Sequence, residues 1–213
     1  MHRIVASIVA LGALSACSYQ VESNVSPPSP AIMAYTNKVP GKWALLVDAE
    51  KAAVSPEAEG GRCSRSDYQV DLSNAFGKVA AAAFARVGED VRLSDHQMSH
   101  TELVSGGYTG VITLRVSDLR SHVTVAELIG GTAEASTTIE GSILVTREDQ
   151  RLVDSTQSAK GEDQRDSGLG CGAAADALSA ASGDAMQDLA RKLAEQFANS
   201  RAVRYSSPNG LVP

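Results

Sequence analysis

The strongest constraint on the fold of this chain is the strict alternation of apolar and polar residues in two stretches of its middle part. Gly110 to Asp118 and Ser136 to Arg147 both alternate. Their apolar faces carry Ile112, Leu114 and Val116 in the first stretch, and Thr137, Ile139, Gly141, Ile143 and Val145 in the second. A period of two residues is typical of a strand with one buried face. Weaker strands are predicted at His122 to Ile129 and Leu152 to Ala159, so we expect a long antiparallel meander.

Helical patterns flank this β region. Leu72 to Val87 and the alanine-rich segment Ala173 to Asn199 repeat apolar residues every three or four positions, which predicts two helices. Lys42 to Asp48 is apolar on both faces and predicts a central strand. A short strand is expected at Val91 to Ser94, and a loop or irregular helix at Asp95 to Gly107. This order predicts an α+β fold, a two-layer antiparallel-rich sheet with two helices packed on one face.

Three local predictions accompany this outline. Gly88 is expected to end the first helix in a left-handed conformation. Ser182-Gly183 is expected to bend the second helix. We find no internal repeat in the chain.

Length and composition set the scale of the molecule. The chain has 213 residues, of which 43% are hydrophobic and 21% charged, as expected of one globular domain rather than a disordered chain. Its net charge of −6 supplies no broad positive field, so nucleic acid is not an expected partner. We place the domain at residues 41–199 and a flexible tail at 200–213.

The amino terminus has the form of a secretion signal. Met1-His2-Arg3 supplies a basic start, and Ile4 to Leu14 is apolar or small. This run is about half the roughly 20 residues that a helix needs to span a bilayer. We therefore predict a signal peptide over residues 1–16.

The end of this signal, Leu14-Ser15-Ala16-Cys17, resembles the lipobox of bacterial lipoproteins. The resemblance implies that Cys17 receives a diacylglycerol, that the signal is cut before it, and that the new amino terminus is acylated. Several acyl chains on one residue anchor a protein stably to a bilayer. Ser18 stands where an Asp tends to retain enterobacterial lipoproteins in the inner membrane, so the resemblance implies the periplasmic face of the outer membrane. The alternative is an ordinary secretion signal in which Cys17 is incidental.

A segment rich in proline and serine follows. We predict residues 17–40 to be a lipidated tether, with Ser26-Pro27-Pro28-Ser29-Pro30 at its centre. Proline-rich segments favour extended conformations of about 3.1 Å per residue, so this tether would hold the domain up to about 70 Å from the lipid.

The remaining cysteines, Cys63 and Cys171, form an even pair in a compartment where disulfides persist. We predict a disulfide between them. Two free thiols that never meet are the alternative, since sequence does not fix their separation.

The chain carries little recognisable chemistry. His96 and His100 are four residues apart but lack the Glu of a His-Glu-x-x-His site, and His122 is the other candidate ligand. No Gly-x-Ser-x-Gly element and no phosphate-binding loop occur in the sequence. We therefore predict no catalytic residue, no metal site and no cofactor.

The order of elements resembles that of small bacterial envelope lipoproteins: the YajG-like group, the sheet-and-helix domains of curli-secretion and polysaccharide-export lipoproteins, and the TolB amino-terminal domain. The resemblance is carried by Lys42 to Asp48, the Ser136-to-Ala159 hairpin and the alanine-rich closing helix. It implies a noncatalytic lipoprotein that serves as an interaction or assembly module in envelope secretion, export or maintenance.

The expected partners are the lipid bilayer, through acylated Cys17, and another envelope protein. Oligomerisation is open, because some lipoproteins of this outline form rings and others remain single. Two alternative functions remain, a lipoprotein that binds a small ligand or glycan, with Tyr68 and Tyr108 as contact candidates, and an envelope hydrolase.

Overall fold

The meander expected from the alternating segments is present in the structure. The computed structural model describes residues 18–22, 37–126, 131–148, 150–166 and 171–205. The strands within these ranges are β1 (Ser18–Glu22), β2 (Val39–Asp48), β3 (Ala53–Val54), β4 (Glu57–Glu59), β5 (Asp67–Asp71), β6 (Gly88–Ser94), β7 (Gly110–Val125), β8 (Thr132–Arg147) and β9 (Gln150–Asp166). The helices are α1 (Ser73–Val87), α2 (His100–Ser105), α3 (Gly172–Asn199) and α4 (Arg201–Tyr205), and a 3-10 turn covers Arg62–Arg65.

The strands form two sheets, a larger and a smaller one. The larger sheet has the order β6-β2-β7-β8-β9, with β4 paired to the end of β7. β2 lies between β6 and β7, as predicted for a central strand, and runs parallel to both. β7, β8 and β9 form the antiparallel meander. The smaller sheet has the order β1-β5-β3. The predicted α+β class is confirmed.

Both long helices pack on the larger sheet and on each other. Their contact is built around aromatic rings: Phe197 of α3 meets Trp43 of β2 edge to face at 5.2 Å and lies 5.6 Å from Phe84 of α1. All three side chains are fully buried, and the indole N–H of Trp43 donates to the carbonyl oxygen of Pro40. This cluster joins the two helices to one end of the sheet.

The meander corrects one prediction. Gly110 to Asp118 and His122 to Ile129 were expected to be separate strands, whereas residues 110–125 form the single strand β7, and Ile129 lies outside the described residues. A bulge between Val116 and Asp118 shifts the pairing with β8 by one residue. The buried positions therefore change from even to odd numbers along the strand, and Leu119 and Val123 face the core together with Ile112.

The smaller sheet corrects the predicted tether and domain boundary. Ser18–Glu22 was expected to belong to the tether over residues 17–40, but it forms β1 and pairs in parallel with β5. Residues 39 and 40 already belong to β2. The folded domain therefore includes residues on both sides of the proline-rich segment.

Several helix ends also differ from the predictions. Gly88 has an extended conformation (φ −103°) and begins β6, so the left-handed exit is wrong. Ser182 and Gly183 are buried inside the continuous helix α3. The segment Asp95 to Gly107, predicted to be a loop or irregular helix, contains the short helix α2, whose first turn has a capping box between Ser99 and Glu102. Arg201–Tyr205, placed in the flexible tail, is helical, and Val203 is buried.

Candidate functional site

The amino-terminal strand is built into the domain. Cys17 lies outside the described residues, but Ser18 pairs with Asp67 at the start of β5. One step along, the rings of Tyr19 and Tyr68 stack with their centroids 5.7 Å apart. Val21 is buried, and β1 also contacts α3. The chain is therefore held to the domain from the residue that follows Cys17.

A short repeat underlies this pairing. β1 reads Ser-Tyr-Gln-Val-Glu and β5 reads Asp-Tyr-Gln-Val-Asp, and the two Tyr-Gln-Val triplets lie side by side in register. The expectation that the chain has no internal repeat missed these three residues. An apolar residue at every second position, shared by both segments, was the sequence signal that could have revealed the pairing.

The predicted disulfide lies beside this strand pair and is confirmed. The structure joins Cys63 to Cys171, with Cα atoms 5.4 Å apart. Cys63 lies in the 3-10 turn that leads into β5, and Cys171 immediately precedes α3. The bond therefore fastens the entrance of β5 to the entrance of the longest helix.

The end of β7 lies against the same turn. Gly60 has a φ of +86°, and a Cβ atom at this position would come within 2.3 Å of the carbonyl oxygen of Val125. A side chain is thus excluded both by the backbone conformation and by the close approach. We call this part of the molecule the anchor end, defined by Ser18, the 3-10 turn, Cys171 and Val125.

The opposite end of the larger sheet is formed where β2 and β7 begin. The Lys42 ammonium group donates to the carbonyl oxygen of Gly106 at 2.9 Å and lies 4.3 Å from the ring centroid of Tyr108. The N–H of Thr109 donates to the carbonyl oxygen of Lys42. These contacts hold the segment after α2 across the start of the sheet, so α2 belongs to this far end.

The histidines considered as metal ligands lie on different elements. The Nδ1 atom of His96 is 2.7 Å from Asp95 Oδ1, and its Nε2 atom is 3.5 Å from Glu102. The hydrogen bond with Asp95, followed by that with Glu102, raises the pKa of His96. His100 begins α2, and His122 lies near the end of β7, where its Nε2 atom is 3.0 Å from the Thr124 hydroxyl. Within the part of the chain that the structure describes, no three His, Cys, Asp or Glu side chains form a potential metal site.

A buried hydroxyl cluster joins α3 to the meander. Thr137 of β8 lies 2.9 Å from the Ser121 hydroxyl and 3.0 Å from the Ser182 hydroxyl, and all three side chains are buried. Each hydroxyl thus has a hydroxyl partner in place of water. Ser182, where a bend of α3 was predicted, bonds the helix to the sheet.

Polar side chains line an open cleft of about 440 Å³ on the meander near the anchor end. Its lining consists of His122, Thr124, Glu134, Ala135, Ser136, Glu162, Asp163 and Gln164. His122, Ser136 and Glu162 form one cross-strand row, and Thr124, Glu134 and Gln164 form the next. Three carboxylates in this lining favour ligands rich in hydroxyl or cationic groups.

Comparisons with known proteins find solved structures that are similar to this chain in part. No family model matches the chain, and no curated protein matches its sequence. Similar solved structures include a Xanthomonas campestris protein of the DUF330 family, at 12% identity and a TM-score of 0.49, covering 85% of this chain and 94% of that one. A minor lipoprotein from Acinetobacter baumannii is 15% identical with a TM-score of 0.38, covering 76% and 93%. The PelC dodecamer from Paraburkholderia phytofirmans is 12% identical with a TM-score of 0.34, covering 79% and 94%. At these identities the likeness assigns no function.

Proposed function

We propose that this chain is a noncatalytic lipoprotein, anchored by acyl chains on Cys17 to the periplasmic face of the outer membrane. Its domain acts as an interaction or assembly module in envelope secretion, export or maintenance. The observation that carries the proposal is the short apolar leader ending in Leu14-Ser15-Ala16-Cys17, followed at once by the first strand of the domain. Of the helices in the described ranges, none is long and apolar enough to cross a membrane.

The disulfide supports an envelope location. Bonds of this kind persist in oxidising compartments such as the periplasm and are rare where thiols are kept reduced. Cys63 is buried and joined to Cys171, so the pair serves the fold. Cys17 is thereby the cysteine available for acylation.

The surroundings of the polar residues support a noncatalytic role. A serine nucleophile needs a base within hydrogen-bond reach. The buried serines Ser121 and Ser182 both bond to the hydroxyl of Thr137, while His96 bonds to carboxylates at the far end. A hydroxyl partner is not a base, so these contacts do not activate Ser121 or Ser182 as a nucleophile.

The anchor is tested by intact mass and membrane fractionation of the protein from its native host. Wild-type protein is expected in the outer-membrane fraction with a diacyl or triacyl mass on Cys17. Cys17→Ala is expected to lose both the added mass and the membrane recovery. Cys171→Ala is the matched control: it removes a cysteine and the disulfide, but keeps the acyl chains. Soluble, unacylated wild-type protein would contradict the proposal.

The assembly role is tested by crosslinking in intact cells, followed by purification and identification of bound proteins. We expect the acylated protein to capture an envelope protein that Cys17→Ala captures much less, because anchoring places both on one surface. Unchanged surface-polymer export, secretion and envelope permeability after deletion, together with no captured protein, would count against it.

The cleft on the meander favours one alternative, binding of a small polar ligand or glycan. Its volume of about 440 Å³ is within the range of small-molecule sites, and His122 and Glu134 offer a donor and an acceptor. Titration with neutral and amino sugars, followed by NMR shifts, tests this function. Shifts at His122 that disappear in Glu134→Gln but persist in Glu140→Gln, a change on the same strand outside the cleft lining, would support it.

A further inference from the structure

One peptide unit separates Cys17, the residue proposed to be acylated, from Ser18, the first residue of the domain. Consecutive Cα atoms lie at most about 3.8 Å apart, and β1 begins at Ser18, the residue after Cys17. The expected tether would have allowed about 70 Å. Residues 23–36 follow β1, so they connect β1 to β2 and do not separate the domain from Cys17.

β1 is fastened to the domain by several contacts. Its ladder with β5 runs over all five of its residues, from Ser18 with Asp67 to Glu22 with Asp71. Tyr19 stacks on buried Tyr68, and Val21 is buried in the core. A strand with these contacts does not serve as a loose extension, because releasing it would expose both aromatic rings and break the ladder.

The contacts also identify the surface closest to Cys17. Because β1 and β5 are parallel, Ser18 lies beside Asp67, and the 3-10 turn leading into β5 lies on the side of Cys17. Ser64 and Arg65 of this turn are exposed. The disulfide joins this turn covalently to the start of α3, the longest helix.

We infer that the anchor end rests against the lipid headgroups of the bilayer that holds Cys17, with the 3-10 turn in contact with it. The inference rests on the proposed acylation of Cys17. A strand of 16 residues, β7, separates the two ends of the meander and spans about 50 Å. The far end, with α2, is therefore directed away from the lipid.

The covalent link, and not charge, holds this orientation. Arg65 and Asp67 are both exposed at the anchor end and carry opposite charges. This pair supplies no net attraction to anionic lipid, the three carboxylates of the nearby cleft supply none either, and salt screens all of these charges. We therefore expect the orientation to persist at high ionic strength.

The test compares a fluorescent noncanonical amino acid at Ser64 with the same probe at Ser105. Both serines are exposed, and each hydroxyl donates to the carbonyl oxygen three residues earlier, that of Gly61 or Glu102. The acylated protein is placed in vesicles of phosphatidylethanolamine and phosphatidylglycerol that contain a headgroup-spin-labelled lipid. The Ser64 probe is expected to lose most of its fluorescence, at low and high salt, and the Ser105 probe almost none.

An insertion provides the second variant. A ten-residue Ser-Gly segment that begins with Ser, placed between Cys17 and Ser18, keeps a serine after the acylated cysteine and adds a mean span of about 18 Å. It is expected to restore most of the Ser64 fluorescence. Equal quenching at Ser64 and Ser105, in protein whose intact mass shows the acyl chains, would overturn this inference and leave the proposed function standing. Protein without acyl chains would overturn both.

Discussion

The strands of the larger sheet and those of the smaller sheet are brought together in different ways. In the larger sheet, β7, β8 and β9 are consecutive in the chain and joined by short connections. In the smaller sheet, β1 pairs with β5, although β2, β3 and β4 lie between them in the sequence. The bond between Cys63 and Cys171 joins residues that are 108 positions apart. The meander of the larger sheet is thus encoded by local patterns, whereas β1 of the smaller sheet depends on a partner that is remote in sequence.

α3 connects these two regions. It packs on β8 and β9 of the larger sheet and contacts β1 and β5 of the smaller one. Its many alanines let it approach closely, since small side chains bring the helix backbone near the strands. Opening of the smaller sheet should therefore leave the larger sheet folded only while the contact between α3 and the meander is intact.

Removing the disulfide is expected to give the largest effect. In the chain-entropy treatment, a closed loop of about 100 residues contributes roughly 4 to 5 kcal/mol, so Cys63→Ala with Cys171→Ala should lower the free energy of unfolding by about 4 kcal/mol. Urea denaturation measures this loss. Hydrogen exchange should show faster opening of β1 and β5 than of β8. Equal acceleration in both sheets would break the comparison.

Gly161→Ala is expected to damage the larger sheet instead. A Cβ atom at Gly161 would lie 2.0 Å from the carbonyl oxygen of Ala181 in α3, so the helix backbone must move. We expect a loss of about 3 kcal/mol in the free energy of unfolding, measured by urea denaturation. Gly77→Ala is the matched control, because nothing lies within 4 Å of its Cβ position in α1. It should stabilise the protein by about 0.5 to 1 kcal/mol, and a similar loss in both variants would refute this explanation.

Tyr19→Ala sharpens the description of the smaller sheet. It removes the ring stacked on Tyr68, and such aromatic pairs contribute about 0.5 to 1.5 kcal/mol beyond burial. Amide exchange in β1 should accelerate by the factor that corresponds to this loss of free energy, while exchange in β8 stays unchanged. Tyr19→Phe keeps the ring and should retain wild-type protection. Acceleration in β8 as well would show that the two sheets open together.

The smallest expected effect lies outside both sheets. Asp95, and after it Glu102, raises the pKa of His96, so their stabilisation of the loop before α2 is present at low pH and lost as pH rises through this raised pKa. In an NMR titration, Asp95→Asn should lower the pKa of His96 towards its ordinary value, by more than Glu102→Gln does. Asp90→Asn, which removes only a partner of Arg92, should leave it unchanged. A shift in all three variants would contradict the assignment.

The meander was predictable because its signal is local. The alternation around Ile112 and Ile143 identified two strands, and their pairing followed from short connections. The bulge after Val116 was not predictable in this way, since an extra residue inverts the alternation and makes one strand look like two. β9 was predicted too short because its inward positions include Gly161, which α3 covers closely.

The candidate site was predicted in part. The even cysteine count indicated the bond between Cys63 and Cys171 once Cys17 was assigned to lipid. The position of β1 was missed, because its one signal, the Tyr-Gln-Val triplet that it shares with β5, is short and is followed at once by a proline-rich segment typical of a tether. Its buried residues, Tyr19 and Val21, gain their environment only from β5 and α3.

The sequence by itself determined the class of the fold and the buried face of β8, of the first part of β7 and of the two long helices, and it indicated the pairing of Cys63 with Cys171. Those properties depend on residue spacing and residue counts, which can be read from the sequence without knowing which distant residues are in contact. The tertiary structure decided that β1 belongs to the domain, that α3 continues through Ser182 and Gly183, and that the domain begins at Ser18, the residue after Cys17. The physical reason is that short or polar segments bury too little surface to fold by themselves, so their conformation is chosen by the surfaces that cover them.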